Sequence, residues 1–199
     1  MNASLRETDA SDGPDKVRWG FELRPEENRL RCIKLLLDSR QRLPAYVPRN
    51  ELKAELRRSG KDAQTVVADY LTELWNHAKA TLDRTYSPLF MATTKLEIIL
   101  TVPAVWSDAA KDATLEAAVK AGLGKHKISL ISEPEAAAVY TLKAIQPNHL
   151  RAGDNFIVCD AGGGTVDLIS YEIEQTSPLR IQESVEGKWT AFARHQRKS

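Results

Sequence analysis

Cysteine is scarce in this chain, with only Cys32 and Cys159 among 199 residues. The two are far apart and form no Cys-x-x-Cys, which excludes a disulfide framework and a cysteine zinc site. His77, His126, His149 and His195 show no ligand spacing either. No apolar run approaches the ~20 residues that cross a bilayer, and residues 1–16 are polar, without the apolar core of a signal peptide. Net charge is nearly absent: 28 Lys and Arg against 27 Asp and Glu leave +1, too little for a polyanion-binding surface. Internal repeats and low-complexity tracts are also missing. What remains is 42% hydrophobic and 28% charged, the composition of a chain with a real core in one or two domains. The expectation is a cytosolic protein with no membrane and no nucleic-acid partner.

Local patterning gives the elements. Residues 1–14 are rich in Ser, Asp and Gly and read as disordered. Over 26–38, Leu30, Ile33, Leu36 and Leu37 fall on one helical face, and 43–48 is a proline-bounded connector. A longer helix is expected over 63–84, with Asp62 as N-cap and Val67, Tyr70, Leu71, Leu74, Ala78 and Leu82 as its buried stripe. Trp75 borders that stripe. Leu96 to Thr101 is a strand closed by Val102-Pro103, and Ser107 caps an alanine-rich helix ending at Gly122. Ile128 to Ile131 is a further strand, followed by Ser132-Glu133-Pro134 and a helix through Ala136, Ala137 and Ala138. Pro134 suits the first helical turn, and Glu133 sets a carboxylate at the positive end of the helix dipole.

The segment with most chemistry is 153–173. An apolar strand ends on Asp160, turns through Gly162, Gly163 and Gly164, and leaves as a second strand. Glycines permit positive φ, so the turn can bring N–H groups to an anion such as a phosphate. Thr165 can add a hydroxyl, while Asp160 and Asp167 can hold a hydrated Mg²⁺ or orient a water. No Gly-Lys-Ser/Thr follows for a P-loop, and Asp167 occupies the position that would complete Gly-x-Gly-x-x-Gly. A purely structural hairpin turn is the plain alternative.

Three segments taken in order, Thr101-Val102-Pro103-Ala104, Ser132-Glu133-Pro134-Glu135-Ala136-Ala137-Ala138 and Asp160-Ala161-Gly162-Gly163-Gly164-Thr165-Val166-Asp167, resemble the seventy-kilodalton heat-shock chaperone family, also called DnaK-like. The likeness is good over about 95–185 and weak over 15–90. It implies an α/β fold of the actin-like, ribonuclease-H-like ATPase kind, present incompletely, with ATP and Mg²⁺ as cofactors. It also implies hydrolysis of the ATP γ-phosphate, with ATP and ADP as bound nucleotides, and protein partners such as co-chaperones. The glycine turn would be the second phosphate loop, Asp160 and Thr165 its acid and threonine, and Glu133 the acid near the metal and its waters. Lys34 lies roughly where the family places its catalytic lysine, though a lysine on an amphipathic helix is ordinarily solvated.

Departures carry information too. Trp106-Ser107-Asp108 and Glu135 differ from the abundant chaperones and look more like a divergent branch, common in fungi, that lacks the peptide-binding domain. The family's first phosphate loop, Asp-x-Gly-Thr-Thr, has no counterpart in 1–20, and the adenosine-binding glycines are missing. The expected organisation is a disordered 1–14, a mostly helical outer subdomain at 15–92, a partial inner subdomain at 93–152, the opening hairpin of a second lobe at 153–187, and an unrelated basic tail at 188–199. Nucleotide binding by such a chain is expected to be weak. Two other readings stay open: a sugar or acetate kinase of the same superfold, against which residues 132–138 argue, and a non-catalytic remnant that binds partners. The strands at 96–102, 128–131 and 156–160 are expected to be nearly all buried, Cys159 among them, with Asp160 and Glu133 facing one cleft.

Overall fold

The computed structural model of the chain describes residues 5–7, 17–24, 26, 29–38, 40, 43, 47, 49–145, 147–161 and 166–190. The elements are β1 (Leu5–Glu7), β2 (Val17–Trp19), α1 (Arg49–Ser59), α2 (Ala63–Thr85), α3 (Pro88–Thr93), β3 (Glu97–Val102), α4 (Asp108–Lys120), β4 (Lys127–Ser132), α5 (Glu133–Ala144), β5 (Asn155–Ala161), β6 (Val166–Thr176) and β7 (Leu179–Thr190). Contacts divide them into two units. Residues 1–99 with 107–129 form a mainly helical unit, and residues 100–106 with 130–199 a mainly β unit. The division runs through β3 and β4, which pair with each other.

In the helical unit, α2 starts where Asp62 predicts it. The Asp62 carboxylate accepts from the Thr65 N–H at 2.7 Å, satisfying a donor that the first turn leaves free. That bond holds the carboxyl below its usual pKa. Val66, Val67 and Ala68 are buried against Leu30, Ile33, Leu35 and Ala117. Farther along, Tyr70, Leu71, Leu74, Ala78 and Leu82 are only half-buried, so the expected stripe faces inward but is sealed chiefly at the helix start. Trp19 of β2 sets its ring edge-on against Tyr70 and His77, each at 5.9 Å. On α4, the fully buried Ala110, Ala117 and Ala118 present small side chains, which allow close packing on α2.

Among the described residues of 26–38, the expected α-helix does not form. A short 3-10 turn at Ile33–Leu36 takes its place, because Cys32 before it has φ 57, a left-handed conformation that cannot continue an α-helix. Leu30 and Ile33 still enter the core, with Leu36 and Leu37 packed against it. The stretch ends on a buried carboxylate, Asp38. It accepts from the N–H and Oγ–H of Ser107, both at 3.2 Å, and from the Arg40 N–H at 3.1 Å. Ser107 in turn caps α4 by accepting from the Ala110 N–H at 3.3 Å. Two helices absent from the sequence reading also appear: the polar α1, which buries only Leu52, and α3, which Ser87 caps through the Phe90 N–H.

The β unit is built on an antiparallel sheet of order β5-β6-β7. Its register sets Phe156 opposite Tyr171, Val158 opposite Ile169 and Asp160 opposite Asp167. Helix α5 is capped by Ser132, whose Oγ accepts from the Glu135 N–H at 3.2 Å, with Pro134 in its first turn as expected. It lies along β5 and buries Pro134 and Ala138. Beneath it Ile169, Tyr171 and Ile173 are buried, while Phe156, Val158 and Asp160 are half-buried.

The opposite face corrects the expectation of nearly complete burial. Ile157 is 71% and Leu168 45% exposed, and Cys159 is exposed rather than packed as a core thiol. β3 alternates in the same way, with Ile99 61% exposed. In the antiparallel β5-β6-β7 sheet such alternation shows that one face is covered; continuous burial would need a layer on both.

Candidate functional site

Asp160 is the penultimate residue of β5, half-buried, on the same side of the strand as Phe156 and Val158. Its partner across the ladder is Asp167. Gly162, Gly163, Gly164 and Thr165, which join the two strands, lie outside the described residues.

Glu133 is the first residue of α5, immediately after β4, and is half-buried. The strand-to-helix junction aligns its carboxylate with the helix's positive end. Its neighbour Ser132 forms a long hydrogen bond, 3.5 Å, with the Tyr171 hydroxyl. Tyr171 stacks on Phe156 with ring centroids 5.7 Å apart. The start of α5 is thereby joined to the sheet face that carries Asp160, and Asp160 lies four residues farther along β5, about 13 Å of strand. Burial pushes the Tyr171 hydroxyl pKa up, the Ser132 bond opposes this, and the Glu183 and Glu135 carboxylates add to the rise.

The structure therefore sets Asp160 and Asp167 opposite each other and ties Glu133's helix to the same face. Lys34 belongs to the helical unit, in the 3-10 turn, where its carbonyl accepts from the Leu37 N–H at 3.0 Å. Sequence reasoning missed Tyr171 and Asp38. The in-facing alternation of Ile169, Tyr171 and Ile173 could have flagged the first. Asp38 carries no comparable signal, since its partner Ser107 is 69 residues away. Among the described residues no helix is long and apolar enough to cross a membrane.

Helices on small sheets, with a strand-to-helix junction, describe an α/β chain, and comparison with known proteins identifies its family. Residues 46–177 match the family described as Hsp70 protein. A chaperone protein HscA homolog of Acinetobacter baumannii is 33% identical over 141 residues, 70% of this chain and 19% of that protein. A heat shock protein homolog of Encephalitozoon cuniculi is 36% identical over 94 residues, 45% of this chain and 14% of that protein. A heat shock protein 70 homolog of Acanthamoeba polyphaga mimivirus is 43% identical over 70 residues, 35% of this chain and 7% of that protein. The chain belongs to the Hsp70 family, and its fold is of the actin-like ATPase kind, incomplete here. It spans about a fifth of the length of the first of these relatives.

Proposed function

We propose that the chain is an ATP-binding, DnaK-like ATPase-domain protein whose phosphate-binding element is the β5–β6 hairpin. The observation that carries this reading is the placement of Asp160 as the penultimate residue of β5, in backbone register with Asp167 of β6. The hard carboxylate oxygens of Asp160 suit Mg²⁺, and Asp160 would hold the hydrated ion. Bound Mg²⁺ supplies neutralisation of charge developing on the phosphate oxygens.

The chain's own groups do the rest. Gly162, Gly163, Gly164 and Thr165, which follow β5 in sequence, would be the groups that meet phosphate, through N–H groups and the Thr165 hydroxyl. Glu133 accepts a hydrogen bond from a water and orients it. Partners would be ATP, ADP and co-chaperones. The test uses this chain joined to the remainder of a family ATPase domain, with ATP turnover and nucleotide affinity measured together. Asp160→Asn keeps size and one acceptor but removes charge, so turnover falls far more than ATP binding, and Glu133→Gln does the same. Normal hydrolysis with both substitutions would contradict the assignment.

A further inference from the structure

The helical unit contains a cleft of about 870 Å³ between the later turns of α2, α3 and the starts of β3 and β4. That is within the roughly 300–1,000 Å³ typical of ligand sites. Its floor is apolar and aromatic. Trp75 is half-buried there, its ring edge-on to His126 with centroids 5.1 Å apart, and Met91 belongs to the same lining. The rim is cationic. Lys79, Lys95 and Lys125 line the cleft and are all exposed, and none makes an ion pair among the described residues. Lys127 is paired with Glu97 at 3.2 Å, and Asp83 is the remaining acid of the lining.

Three exposed ammonium groups with no ion pair among the described residues, around an indole and a thioether, favour a ligand carrying separated negative charges and an apolar side chain. We propose that this cleft docks an acidic, aromatic-containing peptide segment of a partner protein. The apolar side chain sits against Trp75 and Met91 while carboxylates meet Lys79, Lys95 and Lys125. A continuous phosphate backbone fits less well, because Asp83 and Glu97 stand in the same lining and would repel it. Met adapts to varied apolar shapes, so the sequence requirement on the peptide is loose. The cleft lies wholly within the helical unit, and the proposal is independent of the nucleotide reading.

The test is a titration of the 199-residue chain with the fluorescein-labelled peptide Asp-Glu-Phe-Asp-Glu-Leu-Asp-Glu, read by anisotropy and by the Trp75 response, the part of the tryptophan emission change that Trp75→Phe removes. The acidic peptide should bind saturably, weaken steeply between about 50 and 500 mM salt, and bind about tenfold less tightly to the double variant Lys79→Gln, Lys125→Gln. Both lysines are exposed, so the variants keep the fold, and Lys143→Gln on α5 should bind as the parent does. Replacing Phe and Leu of the peptide by Ala should abolish the Trp75 response. Equal binding of a Lys-for-Asp/Glu reversed peptide, tighter binding of oligothymidylate, no binding, or affinity unchanged in the double variant would each overturn the proposal.

Discussion

The two units bury apolar surface in different ways. In the helical unit, segments distant in sequence, 30–38, α2 and α4, converge on one cluster in which Ile33 is 1%, Val66 2% and Ala117 0% exposed. In the β unit, a three-stranded sheet seals one face, with Ile169 at 1% and Ile173 at 0%, and leaves Ile157 at 71% on the other. Helices wrapped around a core need no further layer, whereas a sheet covered on one side presents its alternate residues to solvent. The proposed phosphate hairpin is thus carried by the more open of the two units.

Truncation at matched positions sharpens that contrast most. Ile33→Ala and Ile173→Ala should each cost about 2–5 kcal/mol, because both leave a cavity among side chains that cannot fully collapse; urea unfolding followed by circular dichroism measures the loss. Comparable values at the two sites would show that the covered face is as tightly packed as the helical core. A cost under about 1 kcal/mol at Ile173 would mean that it is not.

A smaller effect is expected at the start of α2. Asp62→Ala should cost about 1 kcal/mol through the lost cap to Thr65. The hydrogen bond from Thr65 holds the Asp62 carboxyl below its usual pKa, so its contribution is full above about pH 4 and is lost as pH falls through the lower folded value. The parent should therefore lose its advantage over the variant only in acid. An advantage that persists to about pH 2 would assign the cost to helix propensity rather than to the cap.

The smallest effect belongs to the open face. Ile157→Lys should change stability by no more than about 0.5 kcal/mol, as at an ordinary surface site, measured by the same urea unfolding. A cost resembling that of Ile173→Ala would break the comparison, since it would mean Ile157 is covered in solution.

The sequence made legible what is written locally. Asp62, Ser107 and Ser132 are caps followed within three residues by the N–H they bond, and Gly122 takes positive φ after α4 as a helix-ending glycine does. Three features depend on information the local pattern lacks. Leu30, Ile33, Leu36 and Leu37 have helical spacing, yet the left-handed backbone at Cys32 interrupts the helix while tertiary packing still buries the first two. Arg49–Ser59 is a helix too polar to announce itself by an apolar stripe. Burial of the strands was overestimated because apolar composition does not say how many faces find a partner, and Cys159 is the residue most affected. Of the candidate site, Asp160 and Glu133 stood out through the motifs around them, and the contact between Ser132 and Tyr171 could be seen only once 39 residues of separation had closed.

The contrast between a sealed core and an open sheet face is tested most directly by the two cysteines, one in each unit. Cys32 is half-buried, and burial pushes its thiol pKa up despite the opposing charge of Arg31, so its reactive thiolate is scarce near neutral pH. Cys159 stands exposed on the face shared with Ile157. Maleimide labelling of the native chain near pH 7, mapped by peptide mass spectrometry, should modify Cys159 at least about tenfold faster than Cys32, and denaturant should bring the two rates together. Slow labelling of Cys159 in the native chain, equal to that of Cys32, would contradict the open face.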